Sequence, residues 1–503
     1  MINMKQLSHN GIIIPKYEPN GFHILFKGKK IDLAPEQEEM AIAWVRKLGT
    51  EYAEDKVFVR NFFEDFCKAL GIGRASPEDF DFSEIIKFVE RDREIKLNMP
   101  KEEKKKLAAE RKVIREANKE KYGYAIIDGQ RVELGNYMAE PSSIFMGRGK
   151  HPLRGKWKKG ATESDIVLNL SPDSRIPPGK WKKIVWNPDF LWIARWDDKL
   201  RGKEKYVWLS DTSPMKQERE MEKFDKAGEL EKKFEIIQDH VNKNLDSDDI
   251  KKRKVATVCY LIDALSMRVG DEKDEDEADT VGATTLTSKN ITICPGNLVK
   301  FNFIGKDYVK WEKEVVLPEN VVRNLKEFIA DSKSFVFDGV RSEDVNAFLS
   351  EIVEGITAKV FRTYHASKAV RDYLDKNNAN KDDPEYYKKY IATMANLQAA
   401  IVCNHKRKLP KKWKESLDKK RQSLEKLKLK KGKKTKEKIK AMKLKIELMK
   451  ETKDYNLNTS LKSYIDPRIY QRWSKKANFD WKKYYSKTLQ RKFSWLDKED
   501  LNL

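Results

Sequence analysis

Tyr464, near the C-terminus, is the residue of this chain best suited to act as a nucleophile. It lies in the stretch Ser460-Leu461-Lys462-Ser463-Tyr464-Ile465-Asp466-Pro467-Arg468. A lone tyrosine is ordinarily a packing residue, but four cationic side chains stand upstream in distinctive local settings: Arg268, Lys306, Arg362 and His405. A phenol with a pKa near ~10 is a weak nucleophile at neutral pH, so it needs a cationic environment and an acceptor for its proton. Together the five side chains could attack and hold a phosphodiester.

Two of these cations stand beside apolar sequence, which predicts that they are partly buried. Arg362 is flanked by Phe361 and Tyr364, and a buried arginine is costly unless it binds an anion. His405 ends an apolar helical run, where it could cap the helix or bind phosphate. A metal role for His405 lacks partners because the six histidines are scattered along the chain.

Lys306 lies at the predicted tip of a hairpin, and Arg268 follows a predicted helix. The turn Gly305-Lys306-Asp307 joins two predicted strands, and a long cation at a hairpin tip can enter a groove. The alternative for Lys306 is an ordinary solvated surface lysine. Arg268 stands two residues before Gly270, which is a plausible helix stop.

Composition predicts a protein that binds a polyanion. The 503 residues carry a formal charge of +23, and 39% of them are hydrophobic. Nucleic acid is the commonest partner of so basic a chain, and the length allows two or more domains. We find no uncharged apolar window of about 18 residues and no apolar signal segment. The four cysteines are far apart, which favours reduced thiols in an intracellular protein.

A glycine-rich, basic stretch in the N-terminal half is a second candidate for phosphate binding. It contains Arg148, Lys150 and His151 between and beside Gly147 and Gly149. Such glycines let backbone amides and cations approach a phosphate closely. The stretch is not a P-loop, because the glycine spacing is wrong and no Ser or Thr follows the lysine.

Hydrophobic periodicity predicts the elements that must position these residues. Strands are predicted at 11–15 and 22–26, helices at 35–48 and 57–70, an exposed charged helix at 91–122, and an antiparallel sheet over 181–209. The central region should hold helices over 213–269, three strands at 290–294, 298–304 and 308–317, and helices at 319–331 and 342–352. Residues 408–450 are lysine-rich with a heptad-like pattern, which predicts an antiparallel helical hairpin.

Several of these stretches resemble motifs of the eukaryotic-type DNA topoisomerase IB family, in the same order. They are Leu265–Glu272 with Ala278–Gly282, Phe303–Asp307, Thr357–Ser367, Cys403–His405 and Tyr464–Arg468. Phe145–Pro152 resembles the DNA-clamping core of the family, and Tyr485–Phe493 is loosely similar to its C-terminal domain. The resemblance covers nearly the whole chain.

The resemblance implies a role for each candidate residue. Tyr464 would be the nucleophile, with Arg268, Arg362 and His405 donating to the scissile phosphate in the transition state. Lys306 would protonate the departing 5′ oxygen as general acid. Further contacts with duplex DNA would come from Arg148, Lys150, His151, Asp307, Lys359 and Asn404. No metal, other cofactor or ATP is implied, since a 3′-phosphotyrosine retains the bond energy for religation.

The implied architecture is a multidomain, α-rich α+β protein that acts as a monomeric clamp on DNA. We expect an N-terminal clamping core over 1–212, a catalytic core like that of tyrosine recombinases over 213–407, a coiled-coil linker over 408–455 and a small C-terminal helical domain over 456–503. The activity would be relaxation of supercoiled DNA by single-strand cleavage, rotation and religation.

The sequence also departs from the family pattern. The family usually has Asn before the tyrosine, whereas this chain has Ser463, which we expect to alter a hydrogen bond near the site. The long charged tail that precedes the core of nuclear members is missing, which favours a compact archaeal-type enzyme or a shortened chain. We therefore expect a DNA-associated intracellular protein, in the nucleoid or cytoplasm of an archaeon or the nucleus of a eukaryote.

Two other function classes stay open on the sequence. A tyrosine site-specific recombinase uses the same chemistry, but it usually carries His three residues before the second arginine, where this chain has Lys359. A non-enzymatic, lysine-rich DNA-binding protein would explain the charge. It would not explain why Tyr464 and all four cations fall in family motifs.

Overall fold

The computed structural model describes residues 4–270, 281–305, 308–430 and 432–497, and these divide into two structural units. The first unit comprises the described residues up to Lys216, and the second comprises those from Gln217 onward. Both combine helices with small sheets, so the predicted helix-rich α+β class is confirmed. Within the described ranges, no helix is long and apolar enough to cross a membrane.

The first unit is built from four helices and several short sheets in its described part. The helices are α1 Pro35–Val45, α2 Lys56–Leu70, α3 Ser83–Asn98 and α4 Lys101–Tyr122. The strands are β1 Leu7–His9, β2 His23–Phe26, β3 Lys29–Asp32, β4 Phe80–Asp81, β5 Tyr124–Ile127, β6 Gln130–Glu133, β7 Ser143–Ile144, β8 Trp157–Lys158, β9 Val167–Asn169, β10 Lys183–Val185, β11 Trp192–Asp197 and β12 Glu204–Trp208. They pair in the orders β1-β5-β6, β3-β2-β4, β10-β9-β11-β12 and β7-β8.

Helix α2 forms where the sequence predicts it, because its start, its buried face and its end are all encoded locally. The Asp55 carboxylate accepts hydrogen bonds from the backbone N–H groups of Val57 and Phe58 at 2.9 and 3.0 Å, which caps the helix. The aromatic stripe of Phe58, Phe62 and Phe66 is completely buried. The stripe therefore serves as the core on which α1, α3 and β8 pack.

The segment that follows the glycine-rich basic stretch packs against α2 through Gly155. Gly155 has φ +89°, and a Cβ built on it would lie 2.1 Å from the carbonyl oxygen of Phe58. Asn61 of α2 donates hydrogen bonds to the carbonyl oxygens of Pro152 and Arg154, both at 2.8 Å. This close backbone contact fixes the stretch on the helix and leaves no room for a side chain at position 155.

The second unit consists mainly of helices around one antiparallel sheet. The helices are α5 Pro214–Lys232, α6 Phe234–Asn244, α7 Ile250–Leu265, α8 Glu319–Asp331, α9 Ser342–Ser350, α10 Ala358–Lys376, α11 Glu385–Val402, α12 Trp413–Lys428, α13 Lys433–Glu451, α14 Leu457–Ser463, α15 Pro467–Lys476 and α16 Lys487–Lys492. The strands β13 Ile291–Ile293, β14 Leu298–Gly305 and β15 Val309–Val316 form the sheet in that order. One hydrophobic core joins this sheet to α6–α10, and a second joins α10 and α11 to α14–α16.

Helices α12 and α13 pack on each other, and α13 also packs on α11. The Trp413 indole donates to the carbonyl oxygen of Met449 at 3.2 Å. Two tyrosines of α11 donate to glutamates of α13: Tyr386 to Glu437 and Tyr390 to Glu447, each at 2.7 Å. The predicted pair of helices in the lysine-rich region is therefore present, and hydrogen bonds attach its second arm to α11.

Three predictions of local structure were wrong in detail. The charged helix expected over 91–122 is two helices, because Met99 and Pro100 interrupt it, and a proline restricts the residue before it to extended backbone. Strand β1 occupies Leu7–His9 rather than 11–15, where Ile13 forms only an isolated bridge to Met138. The sheet within 181–209 is mixed, because β10 pairs with β9 in parallel. The three central strands and helix α8 are confirmed.

Replacing Gly155 with Ala should destabilise the first unit more than the same change at Gly21. Both glycines have positive φ, +89° and +81°, but nothing lies within 4 Å of a Cβ at Gly21. Backbone strain alone costs about 1–3 kcal/mol, and the clash with Phe58 adds to that only at Gly155. The free energy of unfolding in urea measures the difference. Equal losses in the two variants would contradict the close contact.

Candidate active site

The candidate site lies within the second unit, where the carboxyl ends of α7, α11 and α14 meet the side of α10. Each of the three helices ends within three residues of a residue singled out from the sequence. Arg268 comes just after α7, His405 just after α11, and Tyr464 is the residue at which α14 ends. Helix α10 supplies Arg362 from its second turn. The fold thus brings together four of the five residues proposed for catalysis.

Arg362 is buried and binds the ends of two helices. Its Nη1 donates to the carbonyl oxygen of Ser266 at 2.5 Å, and its Nη2 donates to that of Cys403 at 2.8 Å. The guanidinium carbon also lies 5.3 Å from the centroid of the Tyr464 ring. The expectation that an arginine in this apolar frame is buried is confirmed, with 4% of the residue exposed. The two carbonyl dipoles solvate its charge within the protein.

His405 is buried beside Arg362 and Tyr464. Its Nε2 lies 3.4 Å from Nη2 of Arg362, its Nδ1 lies 2.7 Å from Oγ of Ser460, and its ring centroid is 4.9 Å from that of Tyr464. Burial lowers the pKa of His405 to about 3, and the charges of Arg362 and Arg268 act in the same direction. The imidazole is therefore neutral at physiological pH and carries one N–H.

Tyr464 is also buried, but its pKa shifts in the direction that a nucleophile needs. Burial by itself would raise the pKa of the phenol. The positive charges of Arg362 and Arg268, together with a hydrogen bond from Arg268, outweigh burial and lower the pKa below its usual value. The two arginines thus make the phenolate easier to form where it would attack.

The backbone that carries Arg268 is held by an unusually close contact. A Cβ built on Gly282 would lie 2.4 Å from Cα of Gly270, so neither position tolerates a side chain without movement. The Thr284 hydroxyl donates to the carbonyl oxygens of Val269 and Gly270 at 3.1 and 2.6 Å, and the N–H of Ala283 donates to that of Arg268 at 2.8 Å. These bonds fix the segment after α7 and so the position of the arginine.

The remaining predicted site residues do not form one group. Lys306 and Asp307 lie outside the described residues. Lys359 is exposed on the first turn of α10, and Nδ2 of Asn404 donates to the carbonyl oxygen of Lys310 at 3.4 Å.

The three predicted DNA contacts of the glycine-rich stretch belong to the first unit. Arg148 and Lys150 are exposed there. His151 is buried, its ring packs edge-on against Phe145 at 4.9 Å, and its Nδ1 accepts from the N–H of Leu153 at 3.1 Å. DNA contact by these residues stays a prediction.

Sequence reasoning missed two residues that complete the site. Ser460 contacts His405, as described above. It was not recognised as a site residue, although it begins the stretch that contains Tyr464. Lys313 of β15 donates to the carbonyl oxygen of Leu265 at 3.0 Å, and burial lowers its pKa. The alternation of β15 could have revealed Lys313, because it shares a face with the buried Trp311.

The chemistry available here is nucleophilic attack on an anion by a phenol, with cationic and neutral donors around it. Among the described residues, no group of three or more His, Cys, Asp or Glu side chains could hold a metal ion. The charge at the site comes instead from guanidinium groups, which bind phosphate oxygens in a fixed fork.

Comparison with protein families gives matches along almost the whole chain. Residues 212–442 match the catalytic core of eukaryotic DNA topoisomerase I, residues 2–209 match its DNA binding fragment, and residues 436–502 match the C-terminal topoisomerase domain.

Curated relatives agree with the family matches. DNA topoisomerase 1 beta of Arabidopsis thaliana is 35% identical, over 98% of this chain and 58% of its own length. DNA topoisomerase 1 of Drosophila melanogaster is 33% identical, over 98% and 54%. The mitochondrial DNA topoisomerase I of Rattus norvegicus is 31% identical, over 98% and 91%. The chain thus spans little more than half the length of the first two.

These relatives come from a plant, an insect and a mammal, and they give no support to the archaeal interpretation of the sequence. The motifs, their order and the convergence of Arg268, Arg362, His405 and Tyr464 agree with the matches over the full chain. The chain therefore belongs to the eukaryotic-type DNA topoisomerase IB family.

Proposed function

We propose that this protein relaxes supercoiled duplex DNA by the type IB reaction, with Tyr464 as the nucleophile. The observation that carries the proposal is the setting of the phenol. Arg268 donates a hydrogen bond to it, the Arg362 guanidinium stands 5.3 Å from its ring, and the two charges lower its pKa despite burial. A tyrosine that only packs in a hydrophobic core does not require a lowered pKa.

Cleavage begins when the Tyr464 phenol loses its proton to water, which the two arginines favour, and its oxygen attacks the scissile phosphorus. A bond forms between the phenolic oxygen and phosphorus, the bond to the 5′ oxygen breaks, and the 3′ end stays attached as a phosphotyrosine. The 5′ oxygen leaves as a hydroxyl after it takes a proton, for which the family pattern assigns Lys306 as general acid. Religation reverses these steps, and ATP is not needed because the phosphotyrosine conserves the bond energy.

Arg268, Arg362 and His405 supply the donors for the charge that builds on the phosphate oxygens. In the free protein Nε2 of the neutral His405 faces Nη2 of Arg362, which can only donate, at 3.4 Å. Nε2 donates to a phosphate in the other tautomer, in which Nδ1 accepts a hydrogen bond from the Ser460 hydroxyl 2.7 Å away. This tautomer gives the site a donor without adding a positive charge on a buried ring beside the two arginines.

The other predicted features follow from the same proposal. The N-terminal core over 1–212 and the catalytic core over 213–407 would clamp the duplex, with the cations of the glycine-rich stretch on the backbone. The segment 408–455 would link the core to the C-terminal domain as a coiled coil and slow rotation through its positive charge. We infer a monomer that needs no cofactor and associates with DNA in a eukaryotic compartment, with the nucleus as the expected location.

Tyr464→Phe should abolish relaxation of negatively supercoiled plasmid measured in EDTA without ATP. The wild type should produce a ladder of relaxed topoisomers under the same conditions and a covalent complex with the 3′ end of a cleaved strand. The matched control is Tyr455→Phe, a half-buried tyrosine of the same region. Activity that survives in the Tyr464→Phe variant would show that another group is the nucleophile, and binding without relaxation by the wild type would favour a DNA-binding protein.

Arg268→Gln should raise the pH at which single-turnover cleavage reaches its plateau. In the wild type the rate should rise with pH and level off below the usual tyrosine pKa, because the arginines lower the pKa of Tyr464. Removing one positive charge moves the phenol pKa up, so the plateau moves to higher pH. A lower rate with an unchanged plateau pH would mean that Arg268 acts on the phosphate alone.

His405 should not titrate between pH 5 and 8 in the free protein. Its pKa of about 3 lies below that of an unfolded histidine, so the unfolded state binds the proton first. Stability from this group is therefore complete above about pH 6.5 and falls by up to about 1.4 kcal/mol per pH unit below that. Histidine NMR, with His405→Gln to assign the signal, measures the titration. A midpoint near 6.5 would contradict the buried neutral ring.

A further inference from the structure

Three consecutive carbonyl groups around the nucleophile each accept a hydrogen bond from a side chain of a different helix. Lys492 of α16 donates to the oxygen of Lys462 at 2.8 Å, and Lys223 of α5 donates to that of Ser463 at 3.0 Å. Ser367 of α10 donates to that of Tyr464 at 3.3 Å. The three donors belong to the second unit and surround the point where α14 ends.

The two lysines form a largely buried group with one carboxylate. Lys223 binds Glu220 at 2.5 Å, and Lys492 binds the same oxygen of Glu220 at 3.1 Å. Only 20% and 9% of the two lysine side chains are exposed. Their ammonium groups also lie over aromatic rings, Lys223 over Phe224 at 4.1 Å and Lys492 over Phe493 at 5.3 Å. Burying two lysines is costly, so the arrangement calls for a specific purpose.

The end of α14 needs such partners. A helix of seven residues is too short to be stable by itself, and its last carbonyl groups have no partner within the helix. Cations at a helix C-terminus satisfy these groups and interact favourably with the helix dipole. The position of α14, and with it the backbone of the tyrosine, therefore depends on bonds from outside the helix.

We propose that Lys223 and Lys492 are positioning residues, which hold the carbonyl groups of Lys462 and Ser463 and so fix Tyr464 for attack and for religation. This inference rests on the proposed role of Tyr464 as nucleophile. Glu220 neutralises part of the charge and holds both ammonium groups in place. We call this group of Lys223, Lys492 and Glu220 the carbonyl clamp.

Charge in the surroundings agrees with a clamp that acts on the protein backbone. Burial lowers the pKa of Lys223 to about 8, opposed by Glu220 and reinforced by Lys492 and Lys359. The described contacts of the Lys223 ammonium are the carbonyl of Ser463, the Glu220 carboxylate and the Phe224 ring. A lysine that served only a DNA phosphate would need none of these.

Single-turnover cleavage of a short duplex, from which the fragment with the free 5′ hydroxyl dissociates, tests the clamp. Lys223→Met and Lys492→Met keep the aliphatic volume but remove the donor. Each should slow cleavage about ten- to a hundredfold, because displacing a reacting group by about 1 Å costs on that order. Lys223→Arg should recover part of the rate. Lys232→Met, an exposed lysine on the same helix, should cleave like the wild type.

The affinity for uncleaved duplex separates positioning from phosphate contact. A clamp on the backbone predicts an unchanged Kd and an unchanged salt dependence in both Met variants. Loss of one phosphate contact would instead reduce the slope of log K against log salt by about 0.9. Variants with normal cleavage rates, or with slower cleavage fully explained by weaker binding, would overturn the clamp.

Hydrogen exchange in the free protein keeps the test independent of activity. The N–H groups of Tyr464 and Ile465 donate to the oxygen of Ser460 at 2.9 and 3.1 Å, so the peptide over 457–466 should exchange faster in the Met variants than in Lys232→Met. If the wild type fails to cleave, the proposed function fails, while exchange still reports on the clamp. Unchanged exchange in an active protein would overturn the clamp alone.

Discussion

Arg362 joins the carboxyl ends of α7 and α11 by binding one carbonyl group of each, and the geometry of the site depends on these two bonds. Helix ends leave carbonyl oxygens without partners, and here a single guanidinium satisfies two of them. The same solution recurs nearby, with Lys313 on Leu265 at the end of α7. The site can therefore be described as helix ends that are held together by buried cations.

Cations gathered at this site make further positive charge there unfavourable, and the protonation states of the neighbouring residues reflect this. Burial keeps His405 neutral, and the charges of the buried Arg362 and the half-buried Arg268 act in the same direction. The positive charges that disfavour protonation of His405 also favour the phenolate form of Tyr464, because they lower the pKa of the phenol. A phosphodiester would bring negative charge that balances the two arginines. In the proposed mechanism, substrate binding and activation of the nucleophile thus depend on one set of charges.

Much of this could be predicted from the sequence, because local signals and family motifs agreed. The aromatic stripe of α2, the strands β13–β15 and the burial of Arg362 were all expected from neighbouring residues. The parallel pairing of β10 with β9 was missed because strand periodicity contains no information about direction. Lys223 was missed for a different reason: a lysine in a charged amphipathic helix is normally solvated, and only tertiary contacts with α14 and α16 reveal its burial.

Arg362 has both a structural role and a proposed role in binding substrate, and this combination has an evolutionary consequence. In the proposed mechanism Arg362 binds substrate as well as holding two helices together, so it would be under selection for folding as well as for activity. If a descendant of this chain lost its activity, Arg362 would persist because its removal would leave the carbonyls of Ser266 and Cys403 buried and unpaired. The Tyr464 hydroxyl accepts a hydrogen bond from Arg268, but the aromatic ring alone fills the core, so loss of this oxygen would disturb the fold less. Inactive descendants would therefore be recognised by the loss of that one oxygen from an otherwise unchanged site.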